Sequence, residues 1–212
     1  MKNYLTEFIG TFFLVLTIGL CVVGGTTFAP LAIGSALMVM VYMGGHVSGG
    51  HYNPAVSLAA MMRGALDSKE LVPYWISQIV GASVAAIAVS MIMGSTFAPA
   101  PGADATTMAA LLVEFLFTFA LCLVVLNSAT AKGTEGNSFY GLAIGFTVMV
   151  GAFSGGGVSG GAFNPAVGIG PILINATMGD GGFGNLWLYL VGPLLGGAVA
   201  AMVFKIQNPG DD

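Results

Sequence analysis

Two segments, SGGHYNPAVS at Ser48–Ser57 and SGGAFNPAVG at Ser159–Gly168, share one pattern: a Gly-rich stretch, then Asn, Pro, Ala and a short apolar run. Asn is a favoured helix N-cap, and Pro is favoured at the first helical position because its missing N–H would have no partner there. Each segment therefore predicts a loop that turns into a helix at Asn53 or Asn164. The start of such a helix carries unpaired backbone donors and the positive end of the helix dipole.

The composition around these segments is that of a polytopic membrane protein. Of the 212 residues, 56% are hydrophobic and only 7% are charged, whereas soluble domains carry about 25% charged residues. The mean hydropathy is +0.92. In a bilayer, irregular backbone is tolerated only where it is buried in protein or lines a wet cavity, so two such loops indicate a central path or binding site. With five basic residues and a net charge of −4, no nucleic-acid partner is expected.

Six apolar runs approach the roughly 20 residues that span a bilayer. They are Leu5–Val23, Leu31–Gly45, Leu71–Met93, Met108–Asn127, Phe139–Phe153 and Leu186–Phe204. The Asn-Pro-Ala segments follow the second and fifth runs and are too short to cross, so we expect re-entrant half-helices. Every Lys and Arg falls on one side of this topology, which by the positive-inside rule predicts a multi-pass protein of the inner or plasma membrane with both termini in the cytoplasm.

The two halves of the chain repeat. TEFIGTFFLVL in the first half resembles VEFLFTFALCL in the second, and this pairs Glu7 with Glu114 at a shift of 107 residues, close to the 111 between the two motif asparagines. Three spans per half is an odd number, so the second half is expected to be inverted. The sequence thus predicts an all-α membrane protein with six transmembrane helices, two re-entrant half-helices and inverted three-helix repeats at 1–103 and 104–212. Channels and transporters use this architecture.

Four features occur together in this sequence: GGHVSGGHYNPAV from Gly44 with SGGAFNPAV from Ser159, six predicted spans, a Glu near the start of each half, and a C-terminal VGPLLGG. In this combination the chain resembles the aquaporin, or major intrinsic protein, family. The resemblance implies a homotetramer in the lipid bilayer, with one pore in each subunit for water or small neutral solutes. It implies neither a cofactor nor a metal.

The resemblance also implies roles for single residues. Asn53 and Asn164 would lie at the pore midplane and direct amide N–H groups into the lumen, which interrupts the water wire needed for proton hopping. Glu7 and Glu114 would support the loops by accepting hydrogen bonds from loop N–H groups. Backbone carbonyls would line the path at Gly49, Gly50, His51, Gly160, Gly161 and Ala162.

The sequence departs from the family at the narrow outer filter, where an aromatic residue, a His and an Arg are common. Counted from the two asparagines, the four matching positions are Ile33, Ala152, Gly161 and Val167. A filter of these residues is predicted to be wider and less polar than a water-selective one, and ion exclusion would rest on the two asparagines and the helix dipoles. Gly168 stands where glycerol-conducting relatives have Asp. The solute therefore stays open among water, glycerol, urea, ammonia and undissociated metalloid acids.

Other functions fit parts of the pattern. A solute facilitator with little water role fits the apolar filter, and a non-conducting junction or structural member fits the missing Arg. A coupled secondary transporter shares inverted repeats and broken helices, but no ionisable pair within the spans supports coupling. An enzyme is not expected, because the spans offer no acid pair, Ser–Lys pair or metal-ligand spacing.

Six further side chains have a predicted place. Tyr74, Trp75, Trp187 and Tyr189 lie near span ends, where aromatic residues anchor helices in the membrane interface. His51 is expected to line the cytoplasmic vestibule. His46 is either a packed histidine or a gate.

Overall fold

The computed structural model describes residues 1–211, which form eight α-helices and no strand. The helices are α1 Lys2–Val23, α2 Ala29–Ser48, α3 Pro54–Arg63, α4 Leu71–Met93, α5 Thr107–Val125, α6 Tyr140–Ser159, α7 Pro165–Met178 and α8 Leu188–Gln207. All except α3 and α7 are long and apolar enough to cross a membrane. The predicted all-α membrane fold is confirmed.

The two short helices begin at the Asn-Pro-Ala segments. α3 has 10 residues and α7 has 14, which at about 1.5 Å per residue is roughly 15 and 21 Å, against a hydrocarbon core of about 30 Å. Their first turns meet, since Nδ2 of Asn53 donates to the carbonyl of Phe163 at 2.9 Å and Nδ2 of Asn164 donates to the carbonyl of Tyr52 at 2.8 Å. Each half-helix therefore begins near the middle of the bundle and does not cross the whole of it.

Corresponding helices of the two halves pack in corresponding ways. α1 packs on α2 and α4, α5 packs on α6 and α8, and α2 contacts α6 between the halves. Each half-helix also packs on a helix of the other half, α3 on α8 and α7 on α4. A Cβ at Gly81 would lie 2.5 Å from the carbonyl oxygen of Phe8, and one at Gly196 would lie 2.6 Å from that of Phe115, so glycine permits close helix packing at both places. The repeat boundaries at 1–103 and 104–212 stay a prediction.

The helices before the two motifs are longer than predicted. The second and fifth spans were expected to end at Gly45 and Phe153, but α2 and α6 continue to Ser48 and Ser159. A glycine inside a helix costs only about 1 kcal/mol, so the Gly-rich stretches do not end these helices. The residues that follow, Gly49 and Gly160, cap the helices in the left-handed conformation, with φ values of 91° and 89°.

The start of α1 and the segment after α8 lie on one side of the bundle, since Asn3 lines a cavity with Arg63 and Lys132 and Asp211 contacts both of these residues. We call this side the terminal side and the opposite one the distal side. On the terminal side, the Arg63 guanidinium donates to the side chain and the carbonyl of Thr130 at 2.9 and 2.8 Å and lies 3.7 Å from the Asp211 carboxylate. The same carboxylate accepts the backbone N–H of Lys132 at 2.9 Å. These bonds tie the end of α3 to the α5–α6 connection and to the segment after α8.

Candidate functional site

Glu7 of α1 organises the loop that precedes α3. The side chain is fully buried, and its Oε1 accepts hydrogen bonds from Ser48 Oγ at 2.7 Å and from the backbone N–H of His51 at 3.0 Å. Its Oε2 accepts the backbone N–H of Tyr52 at 2.7 Å and Nε2 of Gln78 at 2.8 Å. A buried carboxyl group is tolerated when its oxygens are hydrogen-bonded in this way, and here the bonds fix the loop backbone.

Glu114 of α5 occupies the same place in the second half. It is fully buried, and Oε1 accepts Ser159 Oγ at 2.7 Å and the N–H of Ala162 at 3.0 Å, while Oε2 accepts the N–H of Phe163 at 2.7 Å. Within residues 1–211 neither acid has a basic partner. Hydrogen bonds to loop donors, rather than ion pairs, therefore surround both carboxyl groups.

The residue before each motif Asn has a left-handed backbone. Tyr52 and Phe163, with φ of 48° and 49°, are the two non-glycine residues of the described chain with positive φ. Such a conformation costs of the order of 1–3 kcal/mol and persists only where surrounding contacts determine it. Here the N–H of each residue is bonded to a Glu, and its carbonyl accepts the Asn amide of the opposite loop.

The side chains of Asn53 and Asn164 each form two hydrogen bonds, one through the oxygen and one through the nitrogen. Their Oδ1 atoms accept the N–H of Ala55 and Ala166 at 2.9 Å, which is the N-cap bond. Their Nδ2 atoms each give one hydrogen to the opposite loop. An amide group carries two hydrogens, so one per Asn is left for the cavity that both residues line. The expected role of these N–H groups toward the lumen therefore falls to one hydrogen of each Asn, and it stays a prediction.

Two tyrosines of neighbouring helices hydrogen-bond to the last residue of the helix before each loop. The Tyr74 hydroxyl donates to the carbonyl of Ser48 at 2.8 Å, and the Tyr189 hydroxyl donates to that of Ser159 at 2.6 Å. Both side chains are buried, so the prediction that they anchor the protein in the membrane interface was wrong. Their matching positions in α4 and α8 are a sign of the repeat that sequence reasoning missed.

A distal cavity of about 400 Å³ extends from the distal surface to the two asparagines. No Lys, Arg, Asp or Glu is among the lining residues. The four predicted filter residues all lie on its wall, as do five of the six predicted carbonyl positions: Gly50, His51, Gly160, Gly161 and Ala162. Filter and carbonyl roles for these residues stay predictions.

A terminal cavity of about 890 Å³ opens on the other side. It contains charged residues, among them Arg63 and Lys132, and its wall includes Gly49, the sixth predicted carbonyl position. His46 is exposed on this wall, so it is not a packed core histidine. His51 and Val125 line both cavities, so they mark the place where the two cavities adjoin.

The His51 ring belongs to a buried polar network that the sequence did not reveal. Its Nδ1 lies 3.1 Å from Ser57 Oγ, and Ser57 Oγ accepts a hydrogen bond from Gln78 at 2.9 Å. Gln78 also donates to Glu7. The network thus joins the carboxyl group under the first loop to the ring at the junction of the cavities.

Comparisons with known proteins agree with this architecture. The family model described as major intrinsic protein matches residues 1–204. The chain is 36% identical to aquaporin NIP1-4 of Oryza sativa subsp. japonica, over 100% of this chain and 79% of that protein. It is 35% identical to glycerol uptake facilitator protein-like 6 of Lactiplantibacillus plantarum, over 100% of both chains.

A solved structure has the same fold. The X-ray structure of the aquaglyceroporin from Plasmodium falciparum superposes with a TM-score of 0.90 over 100% of this chain and 98% of that one, at 22% identity. Together with the match along nearly the whole sequence, this establishes that the chain belongs to the major intrinsic protein family, whose members are membrane channels and not enzymes.

Proposed function

We propose that this protein is a passive channel for water and small uncharged solutes. The observation that carries the proposal is the reciprocal pair of Asn–carbonyl bonds at the meeting point of the half-helices, with one amide hydrogen of each Asn left over at the end of an uncharged cavity. The names of the two relatives, an aquaporin and a glycerol uptake facilitator, support water or glycerol-type solutes.

At the midplane, both asparagines act as hydrogen-bond donors toward the same point in the path. A water molecule that accepts hydrogen bonds from Asn53 and Asn164 offers both lone pairs to them, so its own hydrogens point away toward either cavity. A chain of waters cannot then relay a proton through this point. The two helix N-termini add positive potential there and raise the barrier for cations. With no Arg in the distal wall, ion exclusion rests on these groups.

The proposed filter lies between the midplane and the distal surface, where Ile33, Ala152, Gly161 and Val167 line the distal cavity. None of the four side chains can form a hydrogen bond. A solute would be held there by backbone carbonyls on one wall and apolar contact on the other. This filter separates solutes by size rather than by polar recognition.

Orientation and assembly are part of the proposal. Arg63 and Lys132 lie on the terminal side, and the distal connections contain no Lys or Arg. The positive-inside rule then places the terminal side in the cytoplasm of a cell that carries the protein in its inner or plasma membrane. Because each cavity is formed within one chain, a homotetramer would contain four separate pores.

The test is stopped-flow light scattering on proteoliposomes. Shrinkage in sucrose measures water flux, and reswelling after a glycerol or urea gradient measures solute flux. Ala152→Trp places an indole in the distal cavity. Val150→Trp is the matched control, since Val150 is 54% exposed on the outer surface of the same helix. We expect wild-type protein and the Val150 variant to conduct alike, and the Ala152 variant to match protein-free vesicles.

The outcomes separate the alternatives. Fast glycerol with water no faster than in protein-free vesicles would replace the proposal by a solute facilitator. No flux above that of protein-free vesicles would favour a non-conducting structural member. Accumulation of solute against its gradient, driven by an imposed ion gradient, would favour a coupled transporter.

A further inference from the structure

One wall of the distal cavity loses side-chain volume along α6. Ile144, Val148, Ala152 and Gly156 all line the cavity and are spaced four residues apart, so they share one helix face. From Ile144 to Gly156, toward the distal end of the helix, the side chain shrinks from four carbons to none. The last member, Gly156, was not among the predicted filter residues.

The space beside Gly156 is empty. A Cβ built there would have no neighbouring atom within 4 Å, and the residue has ordinary helical backbone geometry. Gly161 is its neighbour across the wall, since a Cβ at Gly161 would lie 3.1 Å from the Cα of Gly156. The two glycines form a patch without side chains that includes Gly161 of the proposed filter and extends beyond it to Gly156.

In the first half of the chain, an aromatic ring fills the equivalent space. Gly45, which lies 111 residues before Gly156 and so matches it in the repeat, lines the terminal cavity. A Cβ at Gly45 would lie 3.3 Å from the ring of Tyr140. The residue that matches Tyr140 at the same shift is Ala29, on the wall of the distal cavity. An alanine methyl group on the distal side replaces the tyrosine ring of the terminal side, and Gly156 stays uncovered.

We propose that Gly156 is a further size-determining residue of the pathway, and that its missing side chain lets solutes larger than water enter the filter. The inference rests on the proposed channel function. It adds a fifth position, one helical turn beyond Ala152, and it attributes the width of the distal entrance to Gly156 together with Ala29.

The experiment compares two glycine series in proteoliposomes: Gly156→Ala, →Val and →Leu against Gly157→Ala, →Val and →Leu. Gly157 is the matched control because it lies on the same last turn, has no atom within 4 Å of its Cβ position and does not line the cavity. In both series the added Cβ meets no other atom within 4 Å, and Ala is a better helix former than Gly. Thermal unfolding in detergent checks that each variant is folded.

We expect glycerol and erythritol fluxes to fall stepwise from Ala to Leu in the Gly156 series, by about tenfold for Gly156→Val, which corresponds to roughly 1.4 kcal/mol of added barrier. Water flux should change least, and the Gly157 series should match wild-type protein. Equal glycerol flux in the two series would overturn the inference while leaving the channel intact. If vesicles with the wild-type protein conducted water but no glycerol, the inference about Gly156 would also be wrong. Wild-type vesicles no more permeable than protein-free vesicles would instead refute the channel function itself.

Discussion

The two re-entrant loops have the same backbone geometry and different side chains around it. Each loop is bonded to a buried Glu, has a left-handed residue before its Asn, and receives a Tyr hydroxyl at the end of the preceding helix. Only the first loop has the network of His51, Ser57 and Gln78. The matching residues of the second half are Ala162, Gly168 and Pro193.

The bonds that both loops share support the fold, and the residues that differ determine the chemistry of each entrance. The shared bonds set the position of the two asparagines, so they recur in both halves. The polar network includes His51, which lies where the charged terminal cavity adjoins the distal cavity. The second loop lines only the uncharged distal cavity. A symmetric midplane therefore lies between two chemically different entrances, and in the proposed function the distal entrance discriminates solutes by size.

The strongest test of the shared part is to replace each buried acid. Glu7→Gln and Glu114→Gln each turn one acceptor oxygen into an N–H₂ group that faces a backbone N–H. An unsatisfied buried donor costs about 1–3 kcal/mol, and the left-handed residue of that loop loses a bond that holds it. We expect both variants to lose about 3 kcal/mol of stability and most of their water flux, measured by thermal unfolding in detergent and by stopped-flow shrinkage.

Glu135→Gln is the control for the change of charge, since Glu135 is exposed and forms no ion pair among the described residues. It should behave as wild-type protein. If only one of the two substitutions lowered stability and water flux, the two acids would not support their loops equally. The proposed equivalence of the two loops would then be wrong.

The features of this architecture that the sequence predicted depend on residues that are neighbours along the chain. The Asn-Pro pairs predicted two helix starts, because capping depends on neighbouring residues. Apolar runs predicted six spans, because bilayer thickness sets their length. The shift that pairs Glu7 with Glu114 indicated the repeat before any contact was known.

The rest depends on contacts between distant segments. Gln78 and Tyr74 lie in an apolar span, where neither periodicity nor composition distinguishes a loop-supporting side chain from an interfacial or packed one. Their partners are 71 and 26 residues away. The empty space beside Gly156 is likewise visible only in the folded chain, because the sequence of a Gly-rich stretch does not show what each glycine faces.

A charge at the predicted filter would sharpen the contrast between the two entrances. The terminal cavity has Arg63 on its wall, and the distal cavity has no charge. Val167→Arg should narrow the distal path and leave water the best-fitting solute. We expect glycerol and urea fluxes to fall by about tenfold or more, equivalent to roughly 1.4 kcal/mol, with a smaller change in water flux. Reswelling rates in proteoliposomes measure this.

Val167→Met is the matched variant, because it adds length without charge. It should slow glycerol flux less than Val167→Arg does. Proton leak, followed with a pH-sensitive dye, should stay at the wild-type level in both variants, because the midplane already interrupts the proton relay. Unchanged glycerol flux in Val167→Arg would show that the filter lies elsewhere on the distal wall.

The smallest effect is expected from the feature that only the first loop has. Gln78→Leu removes one of four donors from Glu7 and leaves three, the number that Glu114 has. It also removes Oε1 of Gln78, a buried acceptor with no partner among the described residues. Because a typical hydrogen bond contributes about 0.5–1.5 kcal/mol net, we expect a loss of about 1 kcal/mol in thermal unfolding. Ser77→Ala, which removes only a bond within α4, is the neighbouring control. A loss as large as that of Glu7→Gln would mean that the fourth donor is essential, and that the first loop is supported by a different set of bonds from the second.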